Sequence, residues 1–361
     1  MQNVRTRRKF DIVNYLPYLL IILAIVLIIV FLTALLPGKE KSVGKKQLTA
    51  MAIPAGCRYW PFAGGAVFLS DEESQLCCLD DRGELIWGFS GTVPEMNVVT
   101  GRNRLGVTVG RKLQVIDSAG TLAFSTEFEK PIAAVAMGEK LIAVSLTHSD
   151  EILILNSTGR EIDRITSSND CTIIRFGVYG DNSVWVITVA AAGFQPKYQL
   201  STYKYDNGKT QTVTFEDDSQ MMYDAVFDDK LCYIFGTQKL MVRDCDYTGV
   251  VNEDFVVNGF DAAAAGKINK NVAILLKNGS SVKAITNGTV RDIVCEEPLK
   301  FTLVAGQNYY GFSEYRMYQM HPDSGKSEGY HFPVRVDDVT PGDGYCLILS
   351  GDTVYRFVPE K

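Results

Sequence analysis

From residue 47 onward the apolar positions come in short runs of about six, broken by Gly, Asn and Asp, with almost no 3.6-residue period. Such runs predict short β-strands rather than helices. One run recurs along the chain: GAVFLS at 65–70, RLGVTV at 104–109, KLIAVS at 140–145, SVWVIT at 183–188, KLCYIF at 230–235, NVAILL at 271–276, NYYGFS at 308–313 and GYCLIL at 344–349. A turn precedes each run, centred near residues 64, 102, 139, 181, 229, 270, 307 and 343, so the unit repeats about every 40 residues. A second marker keeps the same period. Hairpin sequences such as LDDRGELIW at 79–87, IDSAGTLAF at 116–124 and LNSTGREID at 155–163 begin a series of glycines at 83, 120, 159, 208, 249, 288 and 325. Asp- and Asn-rich turns with Gly supply the positive φ that a tight hairpin needs.

A unit of about 40 residues holding four strands is the signature of a β-propeller blade. One blade cannot cover its own apolar faces, whereas a closed ring of them can. Eight equal repeats are hard to reconcile with an open β-sandwich. The expected fold is therefore all-β, an eight-bladed propeller, with seven blades as the alternative count. The eighth unit has room for an inner strand near Val334–Val339, then Tyr345–Leu349 and Val354–Val358, and the sequence ends at Lys361 before a fourth. The repeat places the fourth strand of unit one at Glu84–Phe89. Counting back one period points to LTAMAI at 48–53 as the strand that completes the last blade.

Ahead of this domain, Tyr15–Leu36 (YLPYLLIILAIVLIIVFLTALL) holds 22 residues without a charge. As a helix it would span about 33 Å at ~1.5 Å per residue, enough for the hydrocarbon layer. A cleaved signal peptide would carry a shorter apolar region and a small-residue cleavage site, and Leu35-Leu36-Pro37 is a poor one. Arg5, Arg7, Arg8 and Lys9 favour a cytoplasmic N-terminus, against the weaker cluster Lys39, Lys41, Lys45 and Lys46. The expected layout is a basic cytoplasmic tail at 1–14, a transmembrane helix at 15–36 and a polar stalk at 37–46. An extracytoplasmic propeller at 47–361 follows, with the lipid bilayer as the partner of 15–36.

The composition, 46% apolar and 22% charged, excludes a disordered chain. The net charge is −6, but the first 46 residues are basic and 47–361 holds 28 basic against 40 acidic residues. An acidic domain is a poor fit to nucleic acid, which is bound by neutralising phosphates. The eight cysteines show no CxxC or Cys/His spacing, so no zinc site is expected. Cys232 and Cys346 occupy the same register in units five and eight, where they should be small buried hydrophobes. His148, His321 and His331 have no ligand spacing, and no P-loop, GxSxG triad or calcium loop occurs. No metal, cofactor or catalytic residue is expected on these grounds.

Cys78-Leu79-Asp80-Asp81-Arg82-Gly83-Glu84-Leu85-Ile86-Trp87 resembles the repeat of quinoprotein-like and WD40-like propellers: an Asp, a Gly, and a Trp four residues on that docks between blades. Unit two keeps it with Asp117, Gly120 and Phe124, while unit three keeps Gly159 but carries Asp163 at the docking place. The layout is similar to that of single-pass membrane-anchored propellers of Gram-positive bacteria. Quinoprotein dehydrogenases use a quinone, a metal and often a vicinal disulfide, which makes Cys77-Cys78 worth testing. The pair lies inside a strand, however, and the chain has only 3 Trp.

Two features mark candidate binding positions. Glu95, Asp170, Asp224, Asp261 and Asp337 recur near the start of inner strands, where they could ring one mouth of the channel with negative potential. Unit four has the longest spacing, and its excess AAAGFQPK at 190–197 offers Phe194, Gln195 and Pro196 as a partner-binding loop. The expected function is a binding or scaffold module for a protein or envelope polymer. An enzyme acting on an envelope glycan or through a redox cofactor, or a sensor working through a membrane partner, are the alternatives.

Overall fold

A computed structural model describes residues 41–359 except 45–46, 71–74, 91–94, 168–169, 193–194, 207–208, 229, 246–251, 258, 269–270, 287 and 322. The expected membrane span at 15–36 lies outside the described residues, among which no helix is long and apolar enough to cross a membrane. Chain contacts divide the protein at Lys41/Ser42, and the compact unit that begins at Ser42 is a β-propeller. Its strands form eight four-stranded antiparallel sheets, as the repeat predicts. Blades 1 to 7 cover 58–90, 97–127, 132–166, 171–217, 222–256, 261–294 and 301–331, each with its strands in chain order from the inside outward.

Blade 8 is built from both ends of the domain. Its order is Leu48–Ala50, Thr353–Phe357, Cys346–Ser350, Asp338–Pro341, with Leu48 opposite Phe357 and Ala50 opposite Tyr355. The expected closing strand is thus present, and the Met51 N–H extends it by donating to Val354 O at 2.9 Å. The inner strand begins at Asp338, later than Val334–Val339. Val334 and Val336 alternate like strand residues, but Val336 donates its N–H to Glu314 O and fills the gap between blades 7 and 8. Their apolar period reports burial, not pairing. Across the closure, Tyr345 Oη donates to Gly65 O and Arg356 Nε to Gly64 O, both at 2.6 Å.

The core is divided into eight apolar clusters, one in each gap between neighbouring blades. Successive strand residues point to opposite faces, so Cys77 packs in the gap toward blade 8 and Cys78 in the gap toward blade 2. That divergence is incompatible with a quinone-stacking vicinal pair. Cys232 and Cys346 are fully buried in separate gaps.

The outer hairpins of blades 1 to 3 share one turn. Asp80 Oδ1 accepts from the N–H groups of Arg82 and Glu84, Asp117 Oδ1 from Ala119 and Thr121, and Asn156 Oδ1 from Thr158 and Arg160. Gly120 follows at φ 82°, and a Cβ there would lie 2.5 Å from Trp87 Cγ of blade 1. Trp87 Nε1 also donates to Ser118 O at 3.1 Å. The hairpin glycine therefore provides both the turn and the seat for the preceding blade's outer strand. Phe124 sits on Gly159 in the same way, and Met51 of the closing segment passes over Gly83.

The chain before the closing strand also touches the ring. Ser42 makes a parallel bridge with His331 on the outer strand of blade 7, and the Val43 N–H donates to His331 O at 3.0 Å. Val43 is buried with Phe312, Phe332 and Phe357. The compact unit accordingly starts at Ser42, within the residues expected as a polar stalk.

Candidate functional site

All blades repeat one up-and-down order, so every inner strand begins on the same face of the ring, here called the upper face. The residues expected at its mouth are distributed around it. Glu95 and Asp170 are exposed just ahead of the inner strands Asn97–Thr100 and Cys171–Tyr179, and exposed Asp261 opens Asp261–Ile268. Asp224 lies within Met222–Phe227 and faces Arg175 of blade 4 at 3.6 Å. Asp337 is committed to its own blade: it pairs with Arg335 at 2.8 Å and accepts the Gly351 N–H at 2.8 Å. Among the described residues no three His, Cys, Asp or Glu side chains are grouped so as to hold a metal ion.

Of the segment expected as a loop in blade 4, Ala190–Ala192 and Gln195–Lys197 are strand. Ser183–Ala192 pairs with Gln195–Tyr205 as far as Ala191 opposite Pro196 and Ala192 opposite Gln195. Gln195 and Pro196 are exposed near the tip of this long hairpin, and Phe194 lies outside the described residues. Lys197 and Glu216, 2.6 Å apart, brace it against the outer strand. At its base a cleft of about 160 Å³, lined by Cys171, Thr188, Gln199, Ser201 and Tyr203, separates blades 3 and 4.

The structure adds a feature not visible in the repeat. In blades 3, 4, 5 and 6 the inner strand bulges near its start, skipping one residue between Ile132 and Ala134, Ile173 and Arg175, Met222 and Asp224, and Ala262 and Ala264. A bulged residue leaves the ladder and re-aims its side chain. In blades 4 and 5 the extra residues are Ile174 and Tyr223, 37% and 36% exposed, and Met221 beside them is 45% exposed. The Arg175–Asp224 pair joins the residues that follow the two bulges, and the ring of Tyr223 lies against Phe235 of its own blade, with centroids 6.2 Å apart.

This patch has a rigid base. Gln220 is buried, and its Oε1 accepts the N–H groups of Gln238 and Lys239 at 3.0 and 2.8 Å. Its Nε2 donates to Asp217 Oδ2 at 3.1 Å. With Gln220 drawn inward, Met221 faces out, and the bulge turns Tyr223 out two residues later. Burial raises the Tyr223 hydroxyl pKa, with Asp224 and Asp261 adding to the rise. The one available sequence signal was a break in alternation: Ile173-Ile174 and Met222-Tyr223 place two large apolar residues in succession where a strand should alternate.

No protein-family model and no curated protein matches the chain. Solved structures do. BamB from Moraxella catarrhalis aligns with 86% of this chain and 100% of its own length at 12% identity and a TM-score of 0.55. Sqt1 from Saccharomyces cerevisiae aligns over 90% and 100% at 11% identity and 0.57. AztD from Citrobacter koseri aligns over 84% and 88% at 11% identity and 0.53. Identities this low establish architecture alone, and on that basis the chain is an eight-bladed propeller of the quinoprotein-like and WD40-like fold.

Proposed function

We propose that the chain is a membrane-anchored scaffold whose ring docks a protein partner on its upper face. The observation that carries this is the set Ile174, Met221 and Tyr223, turned outward near the start of two inner strands by two bulges and a buried glutamine, whereas the other exposed large apolar side chains lie on outer strands or, for Tyr315, in a hairpin turn. Rigid exposed apolar area at the mouth of a fold is suited to recognition, because little ordering is needed on binding. The uncharged span 15–36 and the basic tail before it support anchoring with the ring outside the cytoplasm.

The test is a photo-crosslinking amino acid at position 223 of the full chain in its own membrane. A discrete protein adduct that is absent with the probe at Lys204, on the lower side of blade 4, is the expected result. Equal capture from both positions would count against a docking face. Reading the side of the membrane from a protease site placed at Asp352 addresses the orientation independently.

A further inference from the structure

We infer that the mouth patch takes a short protein segment in which an apolar side chain stands beside Lys or Arg. This rests on the docking reading above and names the chemistry of its partner. The apolar half follows from Ile174, Met221 and Tyr223, which come from adjacent blades and are each more than a third exposed. They are fixed outward by the ladder and by Gln220, so an incoming apolar side chain meets a formed surface.

The basic half follows from the charge around that surface. Asp224 follows Tyr223 directly and Asp261 opens the inner strand of the next blade, both adding to the rise that burial causes in the Tyr223 hydroxyl pKa, and Asp170 stands just ahead of the inner strand of blade 4. Among the described cations, Arg175 pairs with Asp224 at 3.6 Å with both side chains solvent-exposed, and Lys277 stands opposite Asp261 in the ladder. Exposed pairs of this kind are weak, so an arriving cation competes readily for Asp224. The ring of Tyr223 offers a further cation contact through its face. An acidic segment would meet repulsion at the same place, and the acidic domain as a whole would steer basic partners inward.

The test uses the full chain in zwitterionic nanodiscs, with empty nanodiscs subtracted, and three fluorescent seven-residue peptides. One carries Leu and Lys, the second Leu and Glu, the third Ser and Lys. The Leu/Lys peptide should bind and the others should bind at least about tenfold more weakly. A Met221→Ser, Tyr223→Ser variant with an unchanged thermal midpoint should lose about tenfold in affinity. An Asp224→Asn, Asp261→Asn variant should lose about fivefold and flatten the salt dependence. Leu122→Ser on the outer rim should change nothing. Equal binding of the Leu/Glu or Ser/Lys peptide, or wild-type binding by the mouth variants, overturns the inference. If the mouth variants convert a dimer to a monomer, the occupant is a second copy of this chain, and the inference fails. If no peptide binds while the probe at position 223 still captures a protein, the inference fails and the docking reading stands.

Discussion

At the scale of single residues, the hairpin glycines separate two demands that sequence alone merges. Gly351 and Gly120 both have positive φ, but a Cβ on Gly351 meets nothing within 4 Å while one on Gly120 strikes Trp87. Gly351→Ala should cost about 1 kcal/mol from backbone strain, and Gly120→Ala about 3 kcal/mol from strain plus overpacking. Urea unfolding of the two variants measures the difference. Thiol chemistry gives a second check. Burial, then Asp80 and Cys77, pushes the Cys78 thiol up to about 12, and burial raises Cys232 and Cys346. At pH 8 the native chain should leave its five buried cysteines (77, 78, 232, 295 and 346) unreactive toward a disulfide reagent, and denaturant should release them. The Asp–Gly–Trp pattern of blade 1 was legible because it is local. The docking partner of blade 3 was not: Tyr205 donates its hydroxyl to Asp163 at 3.0 Å, and a contact 42 residues apart leaves no mark in a repeat. Tyr205→Phe should lower stability by about 1 kcal/mol.

At the scale of elements, the strands and their period were readable because each sheet is buried on both faces, which produces the short apolar runs. Boundaries were less readable. The inner strand of blade 8 starts later than its valines imply, since Val336 is buried without pairing along that strand. The bulges went unread for a related reason: one skipped residue changes the facing of a side chain but leaves the composition of the run intact. The tall hairpin of blade 4 read as a loop because Ala190–Lys197 combines small residues with Gly and Pro. Ala190 and Lys197 are paired directly across that hairpin. Replacing 191–196 by Asn-Gly should therefore close a two-residue turn and leave the thermal midpoint within a few degrees. A larger drop in a melting curve would mean that the tip supports the ring.

At the scale of the whole molecule, stability comes from eight interblade clusters arranged in a circle, so the last blade matters as much as any other. Removing residues 1–53 deletes the closing strand together with buried Met51 and Ile53, and leaves the outer edge of blade 8 and the gap to blade 1 open. That truncation should aggregate or melt far below the parent chain. Removing only 1–44 sacrifices buried Val43 and should cost about 2 kcal/mol while the circle stays shut. Static light scattering and thermal melts of the two truncations separate these outcomes.

The seat of Ser42 and Val43 on blade 7 has a mechanical consequence. Any tension arriving from residue 41 reaches this clamp before it reaches Leu48–Ala50, the staple of the wheel. The clamp works as strain relief does on a cable. A tug on the N-terminal leader should peel a few residues from blade 7, a reversible event, and leave the wheel itself unopened.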